Sequence, residues 1–107
     1  MKESELQRKI IAKLKYNSDV VWVYRTMAGR VGGYVLGVAG HPDITCVIRR
    51  RDGHLGLLFL EVKVGNGKLR YEQRKFFEEY EFEGRVLCRV INDFKQIDKF
   101  IKECQQL

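Results

Sequence analysis

Residues 40–64 read GHPDITCVIRRRDGHLGLLFLEVKV: two apolar runs with a turn between them. Asp43 to Arg49 reads as a strand. Arg51-Asp52-Gly53-His54 follows, and an Asp-Gly pair between apolar runs is a hairpin signal, because it supplies the positive φ that a tight turn requires. Leu55 or Gly56 to Val64 is then the return strand. Side chains two apart on a strand share a face. Glu61 and Lys63 therefore project together, while Leu60, Val62 and Val64 point to the opposite, buried face. From Leu57 to Val64 the strand is apolar on both faces except at Glu61 and Lys63. Charges in such a strand are costly unless paired or metal-bound. Pairing across Asp52-Gly53 sets residues near 43 opposite residues near 62, so two carboxylates and an ammonium converge at one end of the hairpin.

Outward from the hairpin, residues 3–16 carry Leu6, Ile10, Ile11 and Leu14 at helical spacing. Val20 to Tyr24, rich in β-branched and aromatic residues, reads as a strand. Gly29 to Gly40 holds glycines at 29, 32, 33, 37 and 40 and reads as a flexible loop, with room for a short strand around Tyr34–Leu36. Gly65-Asn66-Gly67 breaks the return strand. Leu69 to Tyr80 reads as a helix with Leu69, Gln73, Phe76, Phe77 and Tyr80 on one side, and Gly84 ends that segment. Arg85–Ile91 is a further strand, and 93–104 a last helix with Phe94, Ile97, Ile101 and Cys104 aligned. The order is helix, three strands, helix, strand, helix. A strand that follows a helical crossover can lie parallel to its neighbour, so the expected fold is α/β with a mixed sheet flanked by helices.

The chain has 107 residues, enough for one domain and one core over residues 1–107. Its composition, 45% hydrophobic and 32% charged, is that of a globular domain. No apolar run approaches the roughly 20 residues of a spanning helix. The start, Met1-Lys2-Glu3-Ser4-Glu5, leads directly into a charged helical pattern rather than an apolar signal segment, so a cytoplasmic location and no membrane partner are expected. Cys46, Cys88 and Cys104 lie far apart without metal-ligand spacing and read as packed, reduced thiols. The formal charge of +6 favours polyanionic partners.

Two carboxylates beside a lysine suit phosphodiester hydrolysis. Hard oxygen ligands bind Mg²⁺ or Mn²⁺, and a lysine near the ion orients or deprotonates the attacking water. The combination of Gly40-His41-Pro42-Asp43, Glu61-Val62-Lys63, an acidic residue in the first helix and Gln73 in the next resembles the PD-(D/E)xK nuclease superfamily, and within it the VRR-NUC family, across nearly the whole chain. That resemblance implies a restriction-endonuclease-like αβββαβ core with a C-terminal helix. It implies a Mg²⁺- or Mn²⁺-dependent DNA endonuclease, borne by a phage or mobile element in a bacterial or phage-infected cell. Such enzymes act on branched DNA such as four-way junctions and pair as homodimers. Carried over residue by residue, Asp43 and Glu61 would be metal ligands, the Val62 carbonyl would complete the coordination, and Lys63 would be the catalytic lysine. A catalytically inactive DNA-binding module working with a repair or phage partner is the alternative.

The remaining candidates each have a plain structural counterpart. Glu3 and Gln7 fall on the stripe of Leu6, Ile10 and Leu14, whereas Glu5 falls nearly opposite. Glu3 is therefore chosen over Glu5 as a further metal-site residue, against a Ser4-x-x-Gln7 capping box that would leave Glu3 just outside the helix. Gln73 either hydrogen-bonds the metal shell, Lys63 or a phosphate, or is a buried glutamine satisfied by backbone. Arg25, His41, Lys68 and Arg70 are candidate nucleic-acid contacts; for Lys68 and Arg70 solubility is the rival role. The family often shows arginine, asparagine and glycine after the first strand, whereas this chain has Arg25-Thr26-Met27, a departure that touches loop contacts rather than metal chemistry. Arg49-Arg50-Arg51 either grips phosphates or forms a solvated turn.

Overall fold

The computed structural model describes residues 1–26, 29–31, 34–36, 38–81 and 85–107, with the backbone alone for 29–31 and 34–36. Gly32, Gly33, Gly37, Met27 and the helix-ending Gly84 lie outside the described residues. The chain runs α1 (Glu3–Lys15), β1 (Val20–Arg25), β2 (Gly29–Val31), β3 (Tyr34–Leu36), β4 (Ile44–Arg49), β5 (Leu55–Val62), α2 (Tyr71–Tyr80), β6 (Val86–Ile91) and, after a 3₁₀ turn at Phe94–Gln96, α3 (Ile97–Gln105).

The main sheet has the order β1-β4-β5-β6, antiparallel except for the parallel β5–β6 pair that α2 connects. This is a mixed α+β architecture, in line with the expected class. In addition, β2 and β3 pair with each other as a separate antiparallel ribbon, where a loop with one short strand was expected.

The alternation of the strands divides the sheet into two unlike faces. On one, Ile44, Cys46 and Ile48 of β4 and Leu58, Leu60 and Val62 of β5 are fully buried against Leu6, Ile10 and Leu14 of α1 and Ile97, Phe100, Ile101 and Cys104 of α3. On the other, α2 lays Phe76 edge-on against Phe59 of β5, with ring centroids 5.4 Å apart at 88°. Tyr80 stacks on Phe76 at 4.4 Å. Phe94, expected in the core stripe of the last helix, is exposed in the 3₁₀ turn instead, where Lys13 Nζ sits 4.7 Å above its ring. The three cysteines are free and buried, and burial pushes the Cys46 thiol up to about 12. Among the described residues no helix is long and apolar enough to cross a membrane.

Ile10 is fully buried within the larger core. Ile10→Ala is expected to cost about 2–5 kcal/mol, read as a lower midpoint in urea with an unchanged m-value.

Candidate metal centre

The β4–β5 hairpin pairs Ile44 with Leu60 and closes through Asp52-Gly53, with Gly53 at φ +87° and the Asp52 carboxylate accepting from the His54 N–H at 3.0 Å. Continued by one residue, that register sets Asp43 opposite Glu61, one step from the expected position. Asp43 stands just before β4, and Lys63 and Val64 lie just past β5, so the strands are shorter at this end than the expected 43–49 and 55–64. Lys63 stays attached to the sheet through its N–H, which donates to the Ile91 carbonyl at 3.0 Å.

Asp43 and Glu61 interlock. The Val62 N–H donates to Asp43 Oδ2 at 2.8 Å, and the Asp43 N–H donates to Glu61 Oε2 at 3.2 Å. Glu61 is 2% exposed. Lys63 Nζ stands 3.6 Å from Glu61 Oε1, and Gln73 Nε2 donates to the same oxygen. Gln73 is itself buried, and its Oε1 accepts from the Arg70 N–H at 2.8 Å. This bond starts α2 at Tyr71 rather than at Leu69 and ties the first turn of the helix to the carboxylate. Gln73 thus meets a candidate metal ligand through its amide nitrogen and a backbone N–H through its amide oxygen.

Burial pushes the Glu61 carboxyl up to about 7, the facing Asp43 charge pushes it the same way, and Lys63 opposes both. Two hard carboxylates whose charges repel in a buried place fit a small divalent cation, which binds oxygen ligands and keeps several waters when protein ligands are few. Asp43, Glu61 and the adjoining main chain are the residues that would hold it. Among the described residues there is no group of three or more His, Cys, Asp or Glu side chains that could hold a metal. Glu3, in the first turn of α1, makes no hydrogen bond or ion pair with Asp43, Glu61 or Lys63 among the described contacts. The Ser4–Gln7 capping box does not form, because Lys2 is the N-cap and Ser4 already lies within the helix. Gln7 is buried and accepts from Arg25 Nε at 3.0 Å. One donor of Arg25 is therefore committed to α1.

His41 lies between the rings of Phe59 and Phe76, 5.4 and 5.1 Å away, with Nδ1 2.9 Å from both Thr26 Oγ1 and the Pro42 carbonyl oxygen. The packing makes it a structural spacer under α2. Thr26 is the residue that the motif reading missed. Its N–H donates to the Asp43 carbonyl at 2.8 Å and its hydroxyl to the Pro42 carbonyl, so it holds Pro42-Asp43 in place from the end of β1. The β1–β4 register, Arg25 with Ile44, places Thr26 opposite Asp43, a long-range pairing that no local motif discloses. Arg50 of the arginine run reaches Asp52 and the Leu107 carbonyl, whereas Arg49, Arg51, Lys68 and Arg70 are exposed.

The raised Glu61 carboxyl has a consequence for the metal-free protein. The folded state keeps a proton up to about pH 7 that the unfolded chain, near the ordinary glutamate value of 4.5, has already released. The contribution of this group is full below the unfolded value and is lost as pH rises through the folded one. In a chelator, the melting temperature of the parent relative to Glu61→Gln should therefore fall between about pH 5 and pH 8, by on the order of 5 °C. Mg²⁺ should recover the loss at the alkaline end. A difference that is flat with pH would contradict the assignment.

A scan of the chain against protein-family models finds no match, and a search of curated proteins finds none.

Proposed function

We propose that the protein is a Mg²⁺- or Mn²⁺-dependent DNA endonuclease of the PD-(D/E)xK type, similar to the VRR-NUC family. The observation that carries the reading is the meeting of Asp43 and Glu61 across the β4–β5 hairpin, with Lys63 Nζ 3.6 Å from Glu61. The sequence of elements α1, β1, β4, β5, α2, β6 supports a restriction-endonuclease-like αβββαβ core, with α3 as its C-terminal helix and the β2–β3 ribbon set between β1 and β4.

In this reading Asp43 and Glu61 hold the cation, with the Val62 carbonyl beside them. The ion, when bound, stabilises charge on the phosphate and acidifies a water. Gln73 fixes the Glu61 carboxylate in one orientation, so the ligand pair is preorganised. The Lys63 ammonium offsets carboxylate repulsion and orients the attacking water, and Lys68 and Arg70 lie on the approach to α2, where a DNA backbone would run. A homodimer would present two such sites to the two-fold-related strands of a four-way junction.

The test is incubation of linear, flapped, supercoiled and four-way DNA with Mg²⁺ or Mn²⁺ beside Lys63→Ala. Cutting of branched DNA by the parent alone is the expected result. Absence of metal-dependent cutting on every substrate would overturn the reading. The presence of only two carboxylates in the described cluster favours a second reading, a DNA-binding module without useful activity. Such a module would bind DNA in chelator, and Asp43→Ala would leave that binding unchanged.

A further inference from the structure

We propose that the sheet face bearing Asp43 and Glu61 continues onto β1 as a stacking platform for unpaired nucleobases, formed by Trp22 and Tyr24. This rests on the nuclease reading and deepens it: the substrate would present a single-stranded segment beside the bond to be cut.

In the β1–β4 register Tyr24 pairs with Thr45 and Trp22 with Val47. Thr45 and Val47 alternate with Asp43 along β4, so both aromatic rings belong to the face that carries the carboxylates. Helix α2 covers that face at Phe59 and Glu61 of β5, and at β1 it is open: Trp22 is 68% exposed and Tyr24 54%. Two large aromatic side chains left in water side by side, on the same face as a charged site, are the unusual observation; the other exposed apolar residues of this sheet, Val21 and Leu55, are single aliphatics. Thr45, between Tyr24 and Phe59 in the pairing, is 2% exposed, and its hydroxyl has no hydrogen-bond partner among the described residues.

The dimensions suit a nucleic-acid strand. Residues two apart on a strand are separated by about 6.6–6.8 Å, twice the 3.4 Å rise of a stacked strand, so the backbone positions of Trp22 and Tyr24 leave room for a base against each ring. Past Trp22 the same face ends at the exposed Arg49, six residues from Asp43 and so about 20 Å along the strand. Arg49 at the far end and Lys63, beside the Asp43–Glu61 pair, at the near end bracket the rings. A base has a π-face whatever its identity, so such stacking tolerates sequence.

A second copy of this chain is the competing occupant of the patch. It is disfavoured by the register break between Val20 and Trp22. A bulge there turns the free edge of β1 away from strand addition.

Trp22 is the only tryptophan, so its fluorescence reports the platform directly. The experiment titrates the protein in chelator with an oligothymidylate of about 12 nucleotides, within the range of known single-strand site sizes, and with a duplex of equal length. Affinity is followed separately by anisotropy of labelled DNA. Quenching by the single strand is expected. The Trp22→Ala/Tyr24→Ala double variant should lose about tenfold or more in single-strand affinity, hold its duplex affinity within about twofold, and melt near the parent temperature, because both rings are exposed. Single-strand binding without quenching, or full single-strand affinity in the double variant, would overturn the proposal. So would a dimer that Trp22→Ala converts to monomer with single-strand affinity unchanged. Because the titration needs no metal, it reads the platform alone. The Lys63→Ala cleavage assay reads the catalytic cluster alone, so either can fail without the other.

Discussion

Lys63→Ala and Glu61→Gln should each cut branched DNA about a thousandfold more slowly than the parent, while both variants melt within a few degrees of it. The two substitutions test different atoms of one cluster. Lys63→Ala removes the ammonium that stands 3.6 Å from Glu61 Oε1 and leaves both carboxylates in place. Glu61→Gln removes one negative charge but keeps an oxygen to accept from Gln73 Nε2, so the buried amide is not orphaned as it would be in Glu61→Ala. The stability effects should even diverge. At about pH 8 Lys63→Ala leaves the buried Glu61 carboxylate and its half-buried neighbour Asp43 without their counter-charge and should lower the melting temperature slightly. Glu61→Gln removes the repulsion and should raise it. Normal cutting by either variant would refute the site assignment. Lost cutting accompanied by collapse of the melting transition would show that the substitutions unfold the domain rather than disarm it.

These expectations were legible in the sequence because the decisive positions lie on a hairpin. The two-residue period of Leu57 to Val64 assigns faces without any knowledge of what packs on them, and the Asp52-Gly53 turn fixes the pairing to within one residue. Where the reading went astray, the deciding contacts were distant in sequence. The period placed Gln7 on the buried stripe of α1 but could not disclose Arg25 as its partner, 18 residues away. It put Glu3 on that stripe without revealing that the stripe faces the sheet side occupied by Leu60 and Val62, whereas Glu61 points to the other side. Ser4 looked like a cap because capping is judged from local chemistry, yet α1 begins at Glu3 and the position that matters is Lys2. Likewise His41 beside Pro42-Asp43 invited a chemical role. Only the meeting of Phe59 with Phe76, brought together by the α2 crossover, makes it a spacer. Local periodicity carried the site, and non-local packing decided the neighbours.

Gly40→Ala should be the most damaging single-methyl change near the site, and its reason is geometric. Gly40 has φ +77°, where a Cβ is strained whatever the space, and here there is none. A Cβ would stand 2.1 Å from the Glu72 carbonyl oxygen and 2.9 Å from the Gln73 nitrogen. Both are backbone atoms of the first turn of α2, so no rotamer change can relieve the clash and the helix itself must retreat. Gln73 retreats with it, which breaks its bond to Glu61 and loosens Phe76 on Phe59. Overpacking of this kind costs about 1–3 kcal/mol and the left-handed backbone about 1–2 kcal/mol more, enough to lower the melting temperature by about 10 °C or more in a domain of this size. Gly53→Ala is the internal control. Gly53 has a similar φ of +87°, but nothing lies within 4 Å of its would-be Cβ. It should show the backbone strain alone and retain cleavage. Equal losses at the two positions, or a Gly40→Ala protein that cuts as fast as Gly53→Ala, would mean that contact between the Gly40 turn and α2 does not set the geometry of Glu61.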